Sequence, residues 1–168
     1  GWCDGLTAIP ADTFRYNVLA TNFDRTFVFC TGLTAVVADL FRYNVLADDF
    51  SYTFAESTGI TIVNTGVLEY NTSPTYIGCF DGCTALVDFK SKIGAENCTT
   101  FVGFLDNSTI NSTDYNAIMT DLEAQRTTTG LQSGVIFDGG SSVATGQGAT
   151  DRSSVATNSS WTFQDSTP

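Results

Sequence analysis

The chain has no histidine, and only 7 of its 168 residues are lysine or arginine, against 18 aspartates and glutamates. Without histidine there is no ordinary Ser-His or Cys-His nucleophile, and no Gly-x-Ser-x-Gly elbow is present. A formal net charge of -11 repels phosphate backbones and anionic lipid, which argues against nucleic-acid and membrane-surface roles. No apolar run approaches the roughly 18 residues of a membrane-spanning helix, so no membrane insertion is expected. There is no charged and apolar leader, and the chain begins at Gly1 without Met, so the expectation is a processed product or an excised part of a longer protein.

Apolar material is plentiful. The hydrophobic share is 42% and phenylalanine alone supplies 13 residues, too much for a disordered chain. Low lysine, with abundant Thr, Ser, Asn and Gly, suggests an exterior protein. Asn-x-Ser/Thr triplets stand at Asn71, Asn97, Asn107, Asn111 and Asn158. Pro74 disfavours the first, which leaves Asn97, Asn107, Asn111 and Asn158 as candidate glycosylation sites.

The dominant feature is an internal repeat. Aligning Gly5–Thr31 with Gly32–Thr58 gives identity at 17 of 27 positions, and the block Phe14–Ala20 returns as Phe41–Ala47. A third, diverged copy runs from Gly59 to Thr84, and a fourth starts at Ala85 and fades near Ile110. Several columns stay apolar while their neighbours drift: Leu6, Leu33, Ile60, Leu86; Ile9, Val36, Val63, Phe89; Phe14, Phe41, Leu68; Phe23, Phe50, Tyr76, Phe101; and Phe27, Phe54, Phe80, Leu105. Such columns arise when each copy buries its inward residues against the copy above and the copy below.

Each copy holds two pieces too short for ordinary helices, separated by a turn at Tyr-Asn. The expectation is therefore a repeat solenoid, mainly β, with about 27 residues per coil and short parallel strands. It should occupy residues 1–110, with a small α/β C-terminal cap over 111–168. Asn17, Asn44 and Asn71 recur at the turn, where an amide can bond the backbone of the next coil.

The phrases Cys30–Ala35, Ala38–Asn44 and Phe50–Phe54 resemble the BspA-like leucine-rich repeats. That family occurs in bacterial and protist surface proteins and in virion fibre or decoration proteins. Its members often finish with a helix, a strand, a Gly-rich turn and a tryptophan strand, and Tyr115–Arg126, Gly134–Gly140 and Trp161–Asp165 follow that order. Val37 departs from Pro10, Ser57 from the cysteines of the other copies, and the third copy keeps only Leu68, Tyr70 and Asn71 of the Phe-Arg-Tyr-Asn phrase. The resemblance implies adhesion or recognition and names no partner.

Cys3, Cys30 and Cys83 share one column, interrupted by Ser57. Stacked strands lie about 4.8 Å apart, near the short end of disulfide spacing, so Cys3 with Cys30 can be bridged. Cys79 with Cys83 or with Cys98 are the other pairings, and small buried thiols are the simplest reading. Two thiols at 79 and 83 with no histidine do not make a zinc site, and no metal or cofactor is expected.

In the C-terminal part, Ser112 or Thr113 with Asp114 reads as a helix start, and Tyr115, Ile118, Met119 and Leu122 give an amphipathic helix over about 113–126. Val135–Phe137 and Trp161–Phe163 read as strands. Gly139–Gly148 reads as a flexible loop, with a short helix possible over Ala149–Thr157. Asp48, Asp49, Asp114 and Asp121 read as solvated surface. Asp106–Thr109 and Asp138–Gly140 could offer oxygen ligands to calcium, but neither follows a known loop pattern.

The function expected is non-enzymatic and extracellular, on a cell or virion surface: recognition of a cell-surface protein or glycan. The outward ladder Arg15/Arg42, Tyr16/Tyr43, Asp24/Ser51 and Arg25/Tyr52 would supply the contacts. The alternative is a structural component of a virion, fibre or surface assembly, contacting copies of itself or a scaffold.

Overall fold

The computed structural model of the chain describes residues 3–71 and 74–166. Its elements in order are β1 (Ala35–Val36), β2 (Ile62–Val63), β3 (Asp88–Phe89), α1 (Ser112–Thr128), β4 (Ile136–Val143), α2 (Gly146–Ser159) and β5 (Thr162–Ser166). β1, β2 and β3 form one parallel sheet, with Val36 beside Val63 and Val63 beside Phe89. β4 and β5 form a second, also parallel, and α2 connects them.

The expectation of a mainly β, leucine-rich-repeat-like solenoid is corrected by these elements. Among the described residues there are five short strands in two small sheets, three of them only two residues long, and two helices of 17 and 14 residues. The fold is a small α/β domain. The reason lies in the backbone of the repeat. Asp12, Arg25, Phe29, Asp39, Tyr52 and Glu56 have φ between 53° and 60°, and Gly66, Gly78 and Gly82 take the same places in the third copy. A left-handed residue every few positions turns the chain before a strand can lengthen. The repeat is expressed as turns rather than as strands.

Those turns lie side by side. The amides of Phe23, Arg25, Phe27 and Phe29 donate to the carbonyls of Asp49, Ser51, Thr53 and Ala55 at 2.8–3.0 Å. Phe50, Tyr52, Phe54 and Glu56 do the same to Thr75, Ile77, Cys79 and Asp81. Identical spacing then stacks identical side chains. Phe14 lies over Phe41 at 5.7 Å between ring centroids, Phe23 over Phe50 at 5.6 Å, Phe27 over Phe54 at 5.3 Å and Phe54 over Phe80 at 5.1 Å. Asn44 Nδ2 donates to the Asn17 carbonyl and Asn71 Nδ2 to the Asn44 carbonyl, both at 2.8 Å, so each amide ties its copy to the preceding one rather than to the next. Among the described residues no disulfide joins Cys30, Cys79, Cys83 and Cys98 to one another. Cys83 instead behaves like the serines of its column: Ser57 Oγ, Cys83 Sγ and Ser108 Oγ donate to the carbonyls of Phe27, Phe54 and Phe80 at 2.7, 3.1 and 2.9 Å.

The C-terminal elements continue the same core. Phe101 N–H donates to the Ile136 carbonyl, and its ring meets Phe137 at 5.1 Å and Trp161 at 5.8 Å. Helix α1 is capped by Asn111, whose side chain accepts the Asp114 amide, one residue before the expected start. Asp114 itself is buried rather than solvated, accepting the Phe89 amide and Lys90 Nζ at 2.8 Å each. Asp121, expected on the solvated side, has a side chain only 15% exposed and pairs with Lys92 at 3.4 Å.

The expected loop over Gly139–Gly148 is corrected as well, since β4 runs to Val143 and α2 begins at Gly146. Gly139 and Gly140 serve close approach: a Cβ at Gly140 would lie 2.2 Å from the Leu105 carbonyl oxygen. The fully buried Asp165 side chain takes Arg152 Nε at 2.9 Å and the Tyr115 hydroxyl, tying β5 to both helices.

The glycine column Gly5, Gly32 and Gly59 shows what stacking demands. A Cβ at Gly59 would meet the Thr31 carbonyl oxygen at 2.3 Å, and one at Gly32 the Asp4 carbonyl oxygen at 2.6 Å, whereas at Gly5 nothing lies within 4 Å. Gly59→Ala is therefore expected to lose about 2 kcal/mol or more in urea unfolding, while Gly5→Ala stays within about 0.5 kcal/mol of the parent.

Candidate functional site

The expected outward residues separate into two groups. In the first, the Arg15 guanidinium lies 5.8 Å from the Tyr16 ring and 5.7 Å from the Tyr43 ring, and Arg42 lies 6.0 Å from Tyr43 and 5.8 Å from Tyr70. The result is an alternating ladder, Tyr16, Arg15, Tyr43, Arg42, Tyr70, up one edge of three copies. It follows from the register, because Arg-Tyr at 15–16 and 42–43 recurs at the copy spacing. Asp12 and Asp39, both left-handed residues three positions before the arginines, lie 3.6 Å from Arg15 and Arg42 and orient them. Each cation–ring contact at such an exposed site contributes about 0.5–1 kcal/mol.

In the second group Arg25 lies 4.7 Å from the Tyr52 ring and pairs with Asp24 at 2.6 Å. The amide of Ser51 donates to Asp49 Oδ1 at 2.9 Å. No ion pair or ring contact joins the two groups among the described residues.

Residues that sequence reasoning passed over complete the first group. Tyr70 is its third ring, and its hydroxyl donates to Asp39 Oδ1 at 3.3 Å. Beside the ladder stand Val18, Leu19, Val45 and Leu46, exposed at 47, 80, 58 and 54%. Tyr16 is 88% exposed. These aliphatics sit inside the block that the first two copies share, so the signal was repetition at positions outside every inward column.

The candidate glycosylation asparagines differ in availability. Asn97, Asn107 and Asn158 are exposed, whereas Asn111 Nδ2 is engaged by the Val87 carbonyl, Asp88 and Asp114 at 2.9–3.0 Å. The triplet at Asn71 extends outside the described residues.

Elsewhere, a groove of about 560 Å³ between α1 and the start of α2 is lined by neutral polar groups such as Asn116, Thr120, Thr145 and Gln147, with Lys92 and Asp121 also contributing. Among the described residues no group of three or more Cys, Asp or Glu side chains could hold a metal ion, and no helix is long and apolar enough to cross a membrane. No family model matches this sequence, and neither a curated protein nor a solved structure matches it.

Asp138 is a carboxyl held out of its ordinary range. Burial raises its pKa above 3.8, and the charges of Asp106 and Asp81 add to the effect. A raised carboxyl pKa favours the folded state while the group is protonated, and that advantage is lost as pH climbs from the unfolded value through the folded one. Asp138→Asn keeps the acceptor for the Gly140 amide. It is expected to raise Tm at pH 7 and to show no gain below about pH 4 when melting is followed against pH.

Proposed function

We propose that this domain is a non-enzymatic extracellular recognition module whose binding surface is the edge carrying Arg15, Tyr16, Arg42 and Tyr43. The observation that carries the proposal is the pairing of two features on one loop edge: a self-stacked ladder of guanidinium groups and phenol rings, and four uncovered aliphatic side chains next to it. Aromatic residues and arginine anchor protein interfaces, and uncovered aliphatics gain free energy on burial. The ladder also removes an entropic obstacle, because the long side chains are already held before a partner arrives.

The partner that fits is a protein on a cell surface. The tyrosine faces are occupied by guanidinium groups, which leaves less ring face for a sugar, so a glycan is the less favoured target. Three of the chain's seven basic residues, Arg15, Arg25 and Arg42, lie in the first two copies, against a net charge of -11. This suits a partner with acidic groups at its rim. The resemblance to BspA-like surface proteins supports the same role, adhesion or recognition at a cell or virion surface, without any claim about the fold.

A second reading, a structural component of a virion, fibre or surface assembly, is favoured by a different observation. The carbonyls of Asn22, Asp24 and Thr26 accept no hydrogen bond among the described residues, although their counterparts Asp49, Ser51 and Thr53 each accept one. An uncovered row of backbone acceptors is a pairing edge for another chain. Light scattering separates the two: a strict monomer across concentration speaks for recognition, and growth in mass for assembly.

The test of the first reading is binding of the labelled chain to displayed cell-surface proteins and to a glycan array. Leu19→Glu with Leu46→Glu, and separately Arg15→Ala with Arg42→Ala, are expected to weaken protein binding at least tenfold, about 1.4 kcal/mol, while Tm changes by less than about 2 °C. No binding to either panel, or binding unchanged by both pairs of substitutions, contradicts the proposal.

A further inference from the structure

One aromatic column runs from edge to edge of the molecule. Phe23 meets Phe50 at 5.6 Å between ring centroids, Phe50 meets Tyr76 at 5.7 Å, Tyr76 meets Phe101 at 5.0 Å, Phe101 meets Phe137 at 5.1 Å and Phe137 meets Phe163 at 5.7 Å. The column therefore starts in the first copy and ends in β5. The backbone beneath it follows one rule: each aromatic amide donates to the carbonyl of the residue before the next aromatic. Phe23 donates to Asp49, Phe50 to Thr75, Tyr76 to Thr100 and Phe101 to Ile136, at 2.8–3.2 Å. The bridges from Asn22 to Asp49, Asp49 to Thr75 and Phe101 to Phe137 are parallel, and so is the pairing of β4 with β5.

The rule stops at both edges. Thr162 stands beside Ile136, and its amide donates to the Val135 carbonyl at 2.9 Å. Alternate residues of a parallel strand bond to opposite sides, so Thr162 and Gln164 turn their main-chain groups to β4, while Phe163 and Asp165 turn theirs away. β5 is the outer strand of its two-stranded sheet. At the other edge, the Asn22 and Asp24 carbonyls accept no hydrogen bond among the described residues, although their counterparts Asp49 and Ser51 accept the amides of Phe23 and Arg25. One edge thus offers two donors and the other two acceptors, at the same interval of two residues. Two first-copy edges do not complement each other there, because both present carbonyls.

We propose that the first-copy edge takes β5 of a second copy of this chain, giving an open head-to-tail row. The Phe163 amide donates to the Asn22 carbonyl of the next chain, and the Asp165 amide to its Asp24 carbonyl, which continues the bonding already present between neighbouring segments inside the molecule. This inference rests on the assembly reading given above and names its junction. The contact joins two different edges in parallel, so it leaves a free edge at each end and does not close on a dimer. Phe14 already lies 4.9 Å from Phe23, and the Arg152 guanidinium lies 4.8 Å over the Phe163 ring, so main-chain bonds carry the junction rather than new ring stacking. Six aromatic positions at about 4.8 Å between adjoining segments give a row that lengthens by roughly 29 Å per chain.

The test follows the mass of the whole chain by light scattering against concentration and images the product by electron microscopy. Asn22 and Thr162 are both exposed and each precedes the terminal aromatic of the column, so they face one another across the junction. Asn22 Nδ2 donates to Asp49 Oδ2 at 3.0 Å, so a lysine there keeps an acidic neighbour. Asn22→Lys with Thr162→Lys sets like charges opposite each other, whereas Asn22→Lys with Thr162→Glu sets opposite charges. Both double variants are expected to melt within about 2 °C of the parent. The parent is expected to grow in mass beyond a dimer and to form rows with a repeat of about 29 Å. The lysine–lysine chain stays monomeric to at least tenfold higher concentration, and the lysine–glutamate chain grows again. A parent that is a strict monomer throughout overturns the assembly reading and this junction together. Growth of the lysine–lysine chain equal to the parent's, no recovery in the lysine–glutamate chain, or growth that halts at a dimer leaves assembly standing and overturns the junction.

Discussion

The amides of Phe23, Arg25, Phe27 and Phe29 all point toward the copy that follows them, and so do their counterparts in the second and third copies. Each copy therefore finds the partners of these amides outside itself, while bonds such as Thr26 N–H to the Phe23 carbonyl close its own turns. A lone copy of about 27 residues cannot offset the entropy of ordering it, roughly 1–2 kcal/mol per residue for backbone alone. Joined through these bonds, the copies present identical phenylalanines to one another, and the aromatic columns become a continuous core. The left-handed residues are tolerated on the same terms. A non-glycine residue at φ near +55° costs about 1–2 kcal/mol, and the bonds on either side of Arg25 and Tyr52 hold it there.

The helical part depends on the same register. Phe101 and Leu105 donate to Ile136 and Asp138, so β4 is received as the turns receive one another. From there α2 returns the chain to β5, and Asp165 fixes β5 to Tyr115 and Arg152. Like the copies, this part closes one face of the core. The exposed ladder is a consequence rather than a separate design: whatever stands at positions 15 and 16 of one copy must lie beside its equivalent in the next.

Much of this was legible in the sequence, and the failures have physical causes. The columns Val36, Val63, Phe89 and Phe23, Phe50, Tyr76 read directly, because burial between copies leaves only apolar side chains. The turn geometry did not. Arg25, Phe29, Tyr52 and Glu56 give no warning of left-handed backbone, and only Gly78 and Gly82 in the third copy hint at it, so short strands were expected where turns exist. Asp114 read as solvated because its partners, the Phe89 amide and Lys90, come from the repeat 24 and 25 residues earlier. In the ladder, Arg15, Tyr16, Arg42 and Tyr43 were visible as a repeated phrase. Tyr70 was hidden by the decay of the third copy, and the exposed Val18, Leu19, Val45 and Leu46 carried no signal beyond their repetition outside the inward columns.

Native-state amide hydrogen exchange tests the dependence on inter-copy bonds most directly. If the copies hold one another, the amides of Phe50, Phe54, Tyr76 and Phe80 exchange only through global unfolding, with a common free energy equal to that from urea denaturation. Rapid exchange of these four amides, as for solvent-exposed loop groups, would contradict the account.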